Sequence, residues 1–322
     1  MNAPSLPRLV VAADWSVDEK KRWMTRAALQ GGGQYWVFPP EPVGDVRTLL
    51  DRLWGQAHGG GVLVGFDFAI GLPHAYAAKC GFGSFREALD VLGEGEYAHF
   101  FKVSDTPSLQ QPFYPPPTSE RGKYKKESLA TGLGIDLPGL LRRCDRKRLG
   151  RDVAECLFFT LGGKQVGRSV ISGWLDVIKP ARGKVCLWPF DGPYEALLLQ
   201  DKEIVAEIYP AEAYGHLGFR MGAGTGLRKG SRDDRKKVSQ YLLDAQSPAV
   251  QITDAARSWI EWGFRSEDDF DATAALLSML LVVTGERRAD VPNDERVRKI
   301  EGWIFGQEPT GLGAERDSRE IP

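Results

Sequence analysis

The chain has 322 residues, of which 42% are hydrophobic and 26% are charged, fractions that are typical of a globular protein. The formal net charge is −1, so any preference for nucleic acid must come from local patches. The four cysteines are widely spaced and lack a C-x-x-C pair, a pattern that indicates reduced thiols. No signal-peptide pattern or bilayer-length apolar run is present, so we expect a cytoplasmic protein with no membrane partner.

Two apolar runs of the sequence each end in an aspartate. Residues 9–13 precede Asp14, and residues 62–66 precede Asp67. Runs that are apolar at successive positions predict strands covered on both faces, and ligands of such sheets collect at the carboxyl ends of strands. The alternative for either aspartate is a cap on the following turn. Finding two strands that end alike favours a shared site.

The segments between these runs define an order of elements. Residues 22–30 and 34–38 have the pattern of strands and are separated by three glycines, and residues 45–58 have apolar residues at helical spacing. The resulting order of strand, strand, strand, helix and strand is typical of the opening half of a ribonuclease H fold. We therefore predict an α/β protein with a mixed central sheet between two helical layers.

Residues 74–150 differ in composition from the segments around them. The proline-rich stretch 111–118 disfavours both helix and strand, and residues 120–134 are polar with several glycines. We interpret this region as a long, partly mobile insertion in a single domain, residues 1–308, which a polar tail, residues 309–322, follows. Basic residues with nearby tyrosines suit a phosphate backbone and stacked bases, although a solvated loop is the alternative. The candidate nucleic-acid contacts here are Arg121, Lys123, Lys125, Lys126, Arg142 and Arg143.

A further strand is predicted at residues 203–210, with Glu207 between apolar neighbours. Glu207 is either buried for a purpose or exposed on one strand face, and we include it as a candidate metal ligand. The next segment, residues 220–237, is basic and rich in glycine, but its glycines lack the spacing of a phosphate-binding loop. Lys229 and Arg232 in this segment are candidate contacts to nucleic acid.

The most regular helical pattern begins at Ser266, where Asp269 three residues later predicts a capping box. Asp268 and Asp271 are three residues apart and therefore lie on one face of the first turn. Ordinary acidity at a helix N-terminus is the simpler explanation for each of them. Two carboxylates at a buried edge are costly without a cation between them, and Mg²⁺ or Mn²⁺ suits such oxygens.

Five segments together resemble the domain of unknown function 429 family. They are Asp14 at the end of the first strand, Gly65 to Pro73, Glu207 to Pro210, Asp268 to Ala272, and Glu301 to Ile304. The resemblance extends from Leu9 to about Gly306, and it implies a ribonuclease H-like fold and a predicted nuclease activity. The pair Asp268 and Asp271 is also similar to the last acidic motif of RuvC-type junction resolvases, which carry glutamate where this chain has Asp67.

This resemblance implies a mechanism with two metal ions, Mg²⁺ or Mn²⁺, held by the four aspartates. Asp14 would bridge both ions, and Asp67 and Asp271 would bind one each. Asp268 would complete the coordination or act as a base. No organic cofactor is expected, and the oligomeric state is left open.

Three functions remain open from the sequence. The first is a metal-dependent nuclease that hydrolyses phosphodiester bonds in DNA or RNA. The second is a non-catalytic protein that binds nucleic acid or another ligand on the same scaffold, because a fold does not fix chemistry. The third is a small-molecule phosphohydrolase that uses the same metal site.

Overall fold

A computed structural model describes residues 6–116, 124–148, 151–161, 166–200, 202–222, 224–244 and 247–309. Within these residues, eight strands form one mixed sheet, and twelve α-helices accompany it. The chain is therefore an α/β protein. Arg121, Lys123 and most of the predicted polar tail lie outside the described residues.

The strands are β1 (Leu9–Asp14), β2 (Trp23–Leu29), β3 (Tyr35–Val37), β4 (Glu41–Pro42), β5 (Val62–Phe66), β6 (Cys186–Leu187), β7 (Ile204–Glu207) and β8 (Val250–Ile252). Their order across the sheet is β6-β7-β5-β1-β2-β3-β8, and β4 pairs with β2. Strands β1, β2 and β3 are antiparallel neighbours. Strands β5, β7 and β6 continue the sheet parallel to β1, and β8 is parallel to β3. The carboxyl ends of β1, β5 and β7 therefore meet at one edge.

The helices are α1 (Leu49–Gln56), α2 (His74–Cys80), α3 (Phe85–Val91), α4 (Lys126–Leu133), α5 (Val166–Gly173), α6 (Lys179–Ala181), α7 (Tyr194–Leu197), α8 (Pro210–His216), α9 (Arg232–Lys237), α10 (Ser239–Asp244), α11 (Asp254–Trp262) and α12 (Glu267–Val283). A π-helical turn, Trp174–Ile178, joins α5 to α6, and another spans Val297–Glu301. In the described part of the chain, no helix is both long enough and apolar enough to cross a membrane.

The core has two halves, one on each face of the sheet. Side chains alternate along β1, so Leu9, Val11 and Ala13 pack with α1 to α5, whereas Val10 and Ala12 pack with α7, α8 and α10 to α12. Because both faces are covered, the central strands contain apolar residues at successive positions. This confirms the prediction of buried strands at residues 9–13 and 62–66.

Helix α12 begins as its sequence predicts. The Ser266 side chain accepts a hydrogen bond from the Asp269 amide, and the Asp269 side chain accepts one from the Ser266 amide. The capping box is thereby confirmed. The helix is buried on nearly all sides and packs against β1, β2 and α8. Its first turn is consequently held at the edge where β1 ends.

The inserted region is more regular than its composition suggests. It contains α2, α3 and α4, although residues 120–134 are polar and rich in glycine. Leu129, Ala130 and Leu133 of α4 are buried in the core half that also contains Phe100 and Phe113. Three apolar residues on one helix face are enough to anchor this helix, because tertiary packing outweighs weak local propensity.

Candidate functional site

Asp14 and Asp67 lie side by side at the carboxyl edge of the sheet. Asp14 is the last residue of β1, and Asp67 follows β5, whose Phe66 pairs with Ala13. The two carboxyl groups are close enough to shift each other's pKa. The backbone N–H of Trp15 donates to Asp67 Oδ1 at 2.6 Å and fixes its orientation. The parallel pairing of the two strands thus brings together residues that are 53 positions apart.

Helix α12 adds Asp271 and Asp268 to the same edge. Asp271 is 2% exposed, and the Tyr214 hydroxyl of α8 donates to its Oδ1. The Lys229 ammonium lies 2.6 Å from Asp271 Oδ2 and 3.8 Å from Glu267. Asp268 is half-buried on the first turn of the helix. We call Asp14, Asp67, Asp268 and Asp271 the aspartate cluster.

The carboxyl groups that end the two strands resist ionisation. Burial raises the pKa of Asp14 well above its ordinary value, and the neighbouring carboxylates of Asp67 and Asp271 raise it further. Burial raises the pKa of Asp67 to about 7, although the Trp15 amide and the Lys229 ammonium oppose this shift. The protein by itself therefore stabilises protonated forms of these acids near neutral pH.

The pKa values of the two aspartates of α12 are raised as well. Burial, together with Glu267 and Asp271, raises the pKa of Asp268 to about 6. Burial also raises the pKa of Asp271, while Lys229 and the Tyr214 hydroxyl lower it. Although burial lowers the pKa of Lys229, the Asp271 carboxylate raises it above its ordinary value. The Lys229 ammonium thus opposes the rise in pKa at all four aspartates, and Lys21 opposes it at Asp268 as well.

The donor set of the aspartate cluster fits hard divalent ions. Carboxylate oxygens are the ligands that Mg²⁺ and Mn²⁺ prefer, and their mutual repulsion is a deficit of positive charge that such ions would neutralise. No three of these aspartates place ligand atoms within 4.8 Å of one another, the spacing of a set that surrounds one ion.

Glu207, the remaining predicted ligand, belongs to a different group. Both of its oxygens lie 2.6 Å from the guanidinium of Arg142, which also binds Asp145 at 2.9 Å. The Ile70 amide donates to Glu207 as well, at 2.7 Å. We call Arg142, Asp145 and Glu207 the arginine cluster.

The arginine cluster also includes donor atoms that could in principle hold a metal. The sulfur of Cys144 and oxygens of Asp145 and Glu207 lie within 4.8 Å of one another. Arg142, however, already neutralises both carboxylates through hydrogen bonds in two directions. Burial raises the pKa of Glu207, and the Arg142 charge opposes that rise. The chain supplies its own cation here, so we assign no metal to this group.

The predicted nucleic-acid contacts have varied surroundings. Arg142 is 1% exposed and fully engaged in the arginine cluster, so its predicted contact with a phosphate backbone is not supported. Lys126 pairs with Glu155 at 2.8 Å, and Arg143 pairs with Asp294 at 3.0 Å. The remaining three are Lys125, which is exposed, Lys229, which lies in the aspartate cluster, and Arg232, which is stacked on Trp262.

The groups that orient the acids were not predicted from the sequence. Tyr214 is one of the buried residues of α8, together with Pro210 and Ala213, and only the fold directs its hydroxyl to Asp271. The Trp15 amide is a backbone donor, so no residue type signals it. The short distance in sequence between Tyr214 and the strand that ends at Glu207 was the signal that could have identified this hydroxyl.

Comparison with known proteins adds no assignment. No protein-family model, no curated protein and no solved structure matches this chain. The resemblance to the domain of unknown function 429 family stays a prediction.

Proposed function

We propose that this protein is a divalent-metal-dependent nuclease with a ribonuclease H-like fold. The observation that carries the proposal is the convergence of Asp14, Asp67 and Asp271 from two strand ends and one helix start. Asp268 lies beside them on the same helix turn. Their raised pKa values indicate a site that requires added positive charge.

The topology of the sheet supports the fold assignment. The antiparallel strands β3, β2 and β1 are followed across the sheet by β5 and β7, both parallel to β1. This is the arrangement expected of a ribonuclease H-like core. The first acid ends the central strand β1, where ligands of such sheets collect.

The residues of the chain have distinct roles in this proposal. Asp14, whose pKa is affected by the three other aspartates, would hold the ions together with Asp67, Asp271 and Asp268. When bound, the ions would supply an activated water and charge stabilisation for the leaving oxygen of a phosphodiester. The Trp15 amide keeps the Asp67 carboxylate oriented, and the Tyr214 hydroxyl does the same for Asp271. Lys229 is placed to exchange its contact with Asp271 for one with a phosphate oxygen.

The test is hydrolysis of single-stranded, duplex and branched DNA and RNA with Mg²⁺ or Mn²⁺. Asp14→Asn and Asp271→Asn keep the shape of the side chain and remove a ligand charge, so each should lower the rate by orders of magnitude. Asp51→Asn, at an exposed position on α1, is the matched control and should cleave as wild type does. Equal activity of wild type and Asp14→Asn would identify a contaminant and refute the proposal.

The ion pair between Lys229 and Asp271 favours one alternative, a non-catalytic protein that binds nucleic acid or another ligand. In that case the ammonium would be a permanent partner of the acid, and added metal would not displace it. Titration with Mn²⁺ separates the two functions. Binding that Asp14→Asn abolishes supports the nuclease, and the lack of binding to wild type supports the alternative.

A further inference from the structure

Two tryptophans of α11 border an open cavity on the protein surface. Trp259 and Trp262 are three residues apart and therefore lie on one face of the helix. The cavity has a volume of about 240 Å³ and is lined by Ser258, Trp259, Trp262 and Arg265. Trp262 remains 50% exposed, so part of its ring is available to a partner.

An arginine is stacked on each of these indole rings. The guanidinium carbon of Arg265 lies 4.5 Å from the ring centre of Trp259, and that of Arg232 lies 4.8 Å from the ring centre of Trp262. Both arginines are exposed, and neither has a carboxylate within ion-pair distance among the described residues. Stacking orients a guanidinium while leaving its N–H groups available to an anion. We call Trp259, Trp262, Arg232 and Arg265 the tryptophan–arginine surface.

This surface is close to the aspartate cluster in sequence and is connected to it by strand pairing in the sheet. Arg265 precedes Asp268 by three residues. The ring of Trp259 lies 6.0 Å from that of Trp23, and Trp23 pairs with Asp14 across β1 and β2. The surface thus neighbours β2, which pairs with β1, and the start of α12.

We propose that the tryptophan–arginine surface binds a single-stranded nucleic acid and holds one of its bases against Trp262. Two aromatic faces and two unpaired guanidinium groups match the alternation of bases and phosphates along a strand. A duplex hides its base faces by stacking them on one another, so it cannot fill the cavity in this way. The charge complementarity of the two arginines with a phosphate backbone selects this occupant. The inference rests on the proposed nuclease function, which it deepens by naming single strands as the substrate class.

The experiment measures binding without metal, so that it does not depend on cleavage. Fluorescence anisotropy of a short labelled oligonucleotide in EDTA compares a single strand with its duplex. Trp262→Ala should weaken single-strand binding about ten-fold, because base stacking on an aromatic ring is lost. Trp262→Phe keeps a ring and should retain most of the affinity. Because Trp262 is half exposed, these variants are expected to fold.

Trp36→Ala is the matched control. Trp36 is 40% exposed, and it lies on the face of the sheet opposite to Tyr35 and Val37, whose side chains pack with α11. Its removal should leave the affinity unchanged. Replacing both Arg232 and Arg265 with alanine should reduce the slope of log affinity against log salt by about 0.7 for each lost phosphate contact. Arg47→Ala, which removes an exposed arginine paired with Asp45, should not change the slope.

The outcomes separate this inference from the nuclease proposal. Equal single-strand affinity of wild type and Trp262→Ala would overturn the inference even if wild type cleaves. Affinity that depends on Trp262 in a protein that never cleaves would support the surface and refute the nuclease. Tighter binding of an acidic peptide than of the oligonucleotide would overturn the choice of partner.

Discussion

The aspartate cluster and the arginine cluster lie at the same edge of one sheet and differ in the source of positive charge. The ends of β1 and β5 and the start of α12 supply the first, and β7 supplies Glu207 to the second. In the arginine cluster, a buried guanidinium contacts both Asp145 and Glu207. In the aspartate cluster, the single ammonium of Lys229 contacts one of four acids. Buried acids with a built-in cation maintain structure, and acids without one are available to a ligand.

The largest effect on stability is expected from removing Arg142, the cation of the arginine cluster. Arg142→Met leaves two buried carboxylates without a counter-charge, so the free energy of unfolding should fall by about 3–5 kcal/mol. Urea denaturation followed by circular dichroism measures this change. Arg47→Met, at an exposed ion pair, should unfold as wild type does. Unchanged stability of Arg142→Met would remove the distinction between the two clusters.

In the aspartate cluster, removing an acidic group should leave stability unchanged or increase it. Asp14→Asn removes an acid whose ionised form is disfavoured by burial and by the neighbouring carboxylates, so the metal-free variant should melt at the same or a higher temperature than wild type. At a Mn²⁺ concentration 100 times its Kd, wild type should gain about 2.7 kcal/mol, most of which the variant should lose. Differential scanning calorimetry with and without Mn²⁺ measures both effects. A variant that is destabilised without metal would indicate that Asp14 merely caps a turn.

The two clusters should also differ in their response to pH. The pKa of Asp67 is about 7 in the folded protein, above the value of about 3.9 for an unfolded chain. The folded state therefore binds the proton more tightly, so stability from this group is complete below pH 4 and is lost as the pH rises to 7.

We expect the melting temperature of the metal-free protein to fall between pH 5 and pH 8, and Asp67→Asn to flatten that fall. Added Mn²⁺ should oppose the fall, because bound metal favours the ionised acids. In the arginine cluster, the Arg142 charge opposes the rise that burial gives the pKa of Glu207, so this cluster should contribute less to the fall. A melting temperature that rises with pH in the metal-free protein would contradict the electrostatics of the aspartate cluster.

The smallest effect is expected on metal affinity, from a substitution of Lys229, which is half-exposed. Lys229→Gln removes a competitor for Asp271 Oδ2, so the affinity for Mn²⁺ should rise several-fold, as measured by isothermal titration calorimetry. Lys125→Gln, at an exposed position away from the acids, is the control. Weaker metal binding by Lys229→Gln would show that the ammonium supports the metal site instead of competing for it.

The sequence predicts the parts of this site that depend on local signals. Asp14 and Asp67 follow apolar runs, and Ser266 and Asp269 cap their helix from three residues apart. The pairing of Arg142 with Glu207 spans 65 residues, and that of Lys229 with Asp271 spans 42. The identity of a basic residue does not show whether it lies on a solvated surface or in a buried ion pair. Composition therefore suggested a nucleic-acid contact for Arg142. Only the packing of the inserted region against the sheet distinguishes these two environments.

The burial of α12 limits how the site can change over evolutionary time. Asp271 is one turn away from core residues such as Ala275, and the helix is fixed at its start by the Ser266 cap. A substitution that moves this helix would disturb the acid and the core together, so selection for folding also preserves the position of the acid. Lys229, in contrast, follows a segment with three glycines at positive φ, Gly222, Gly224 and Gly226, that have open space around them. New specificities would therefore arise more readily in that segment than on the helix.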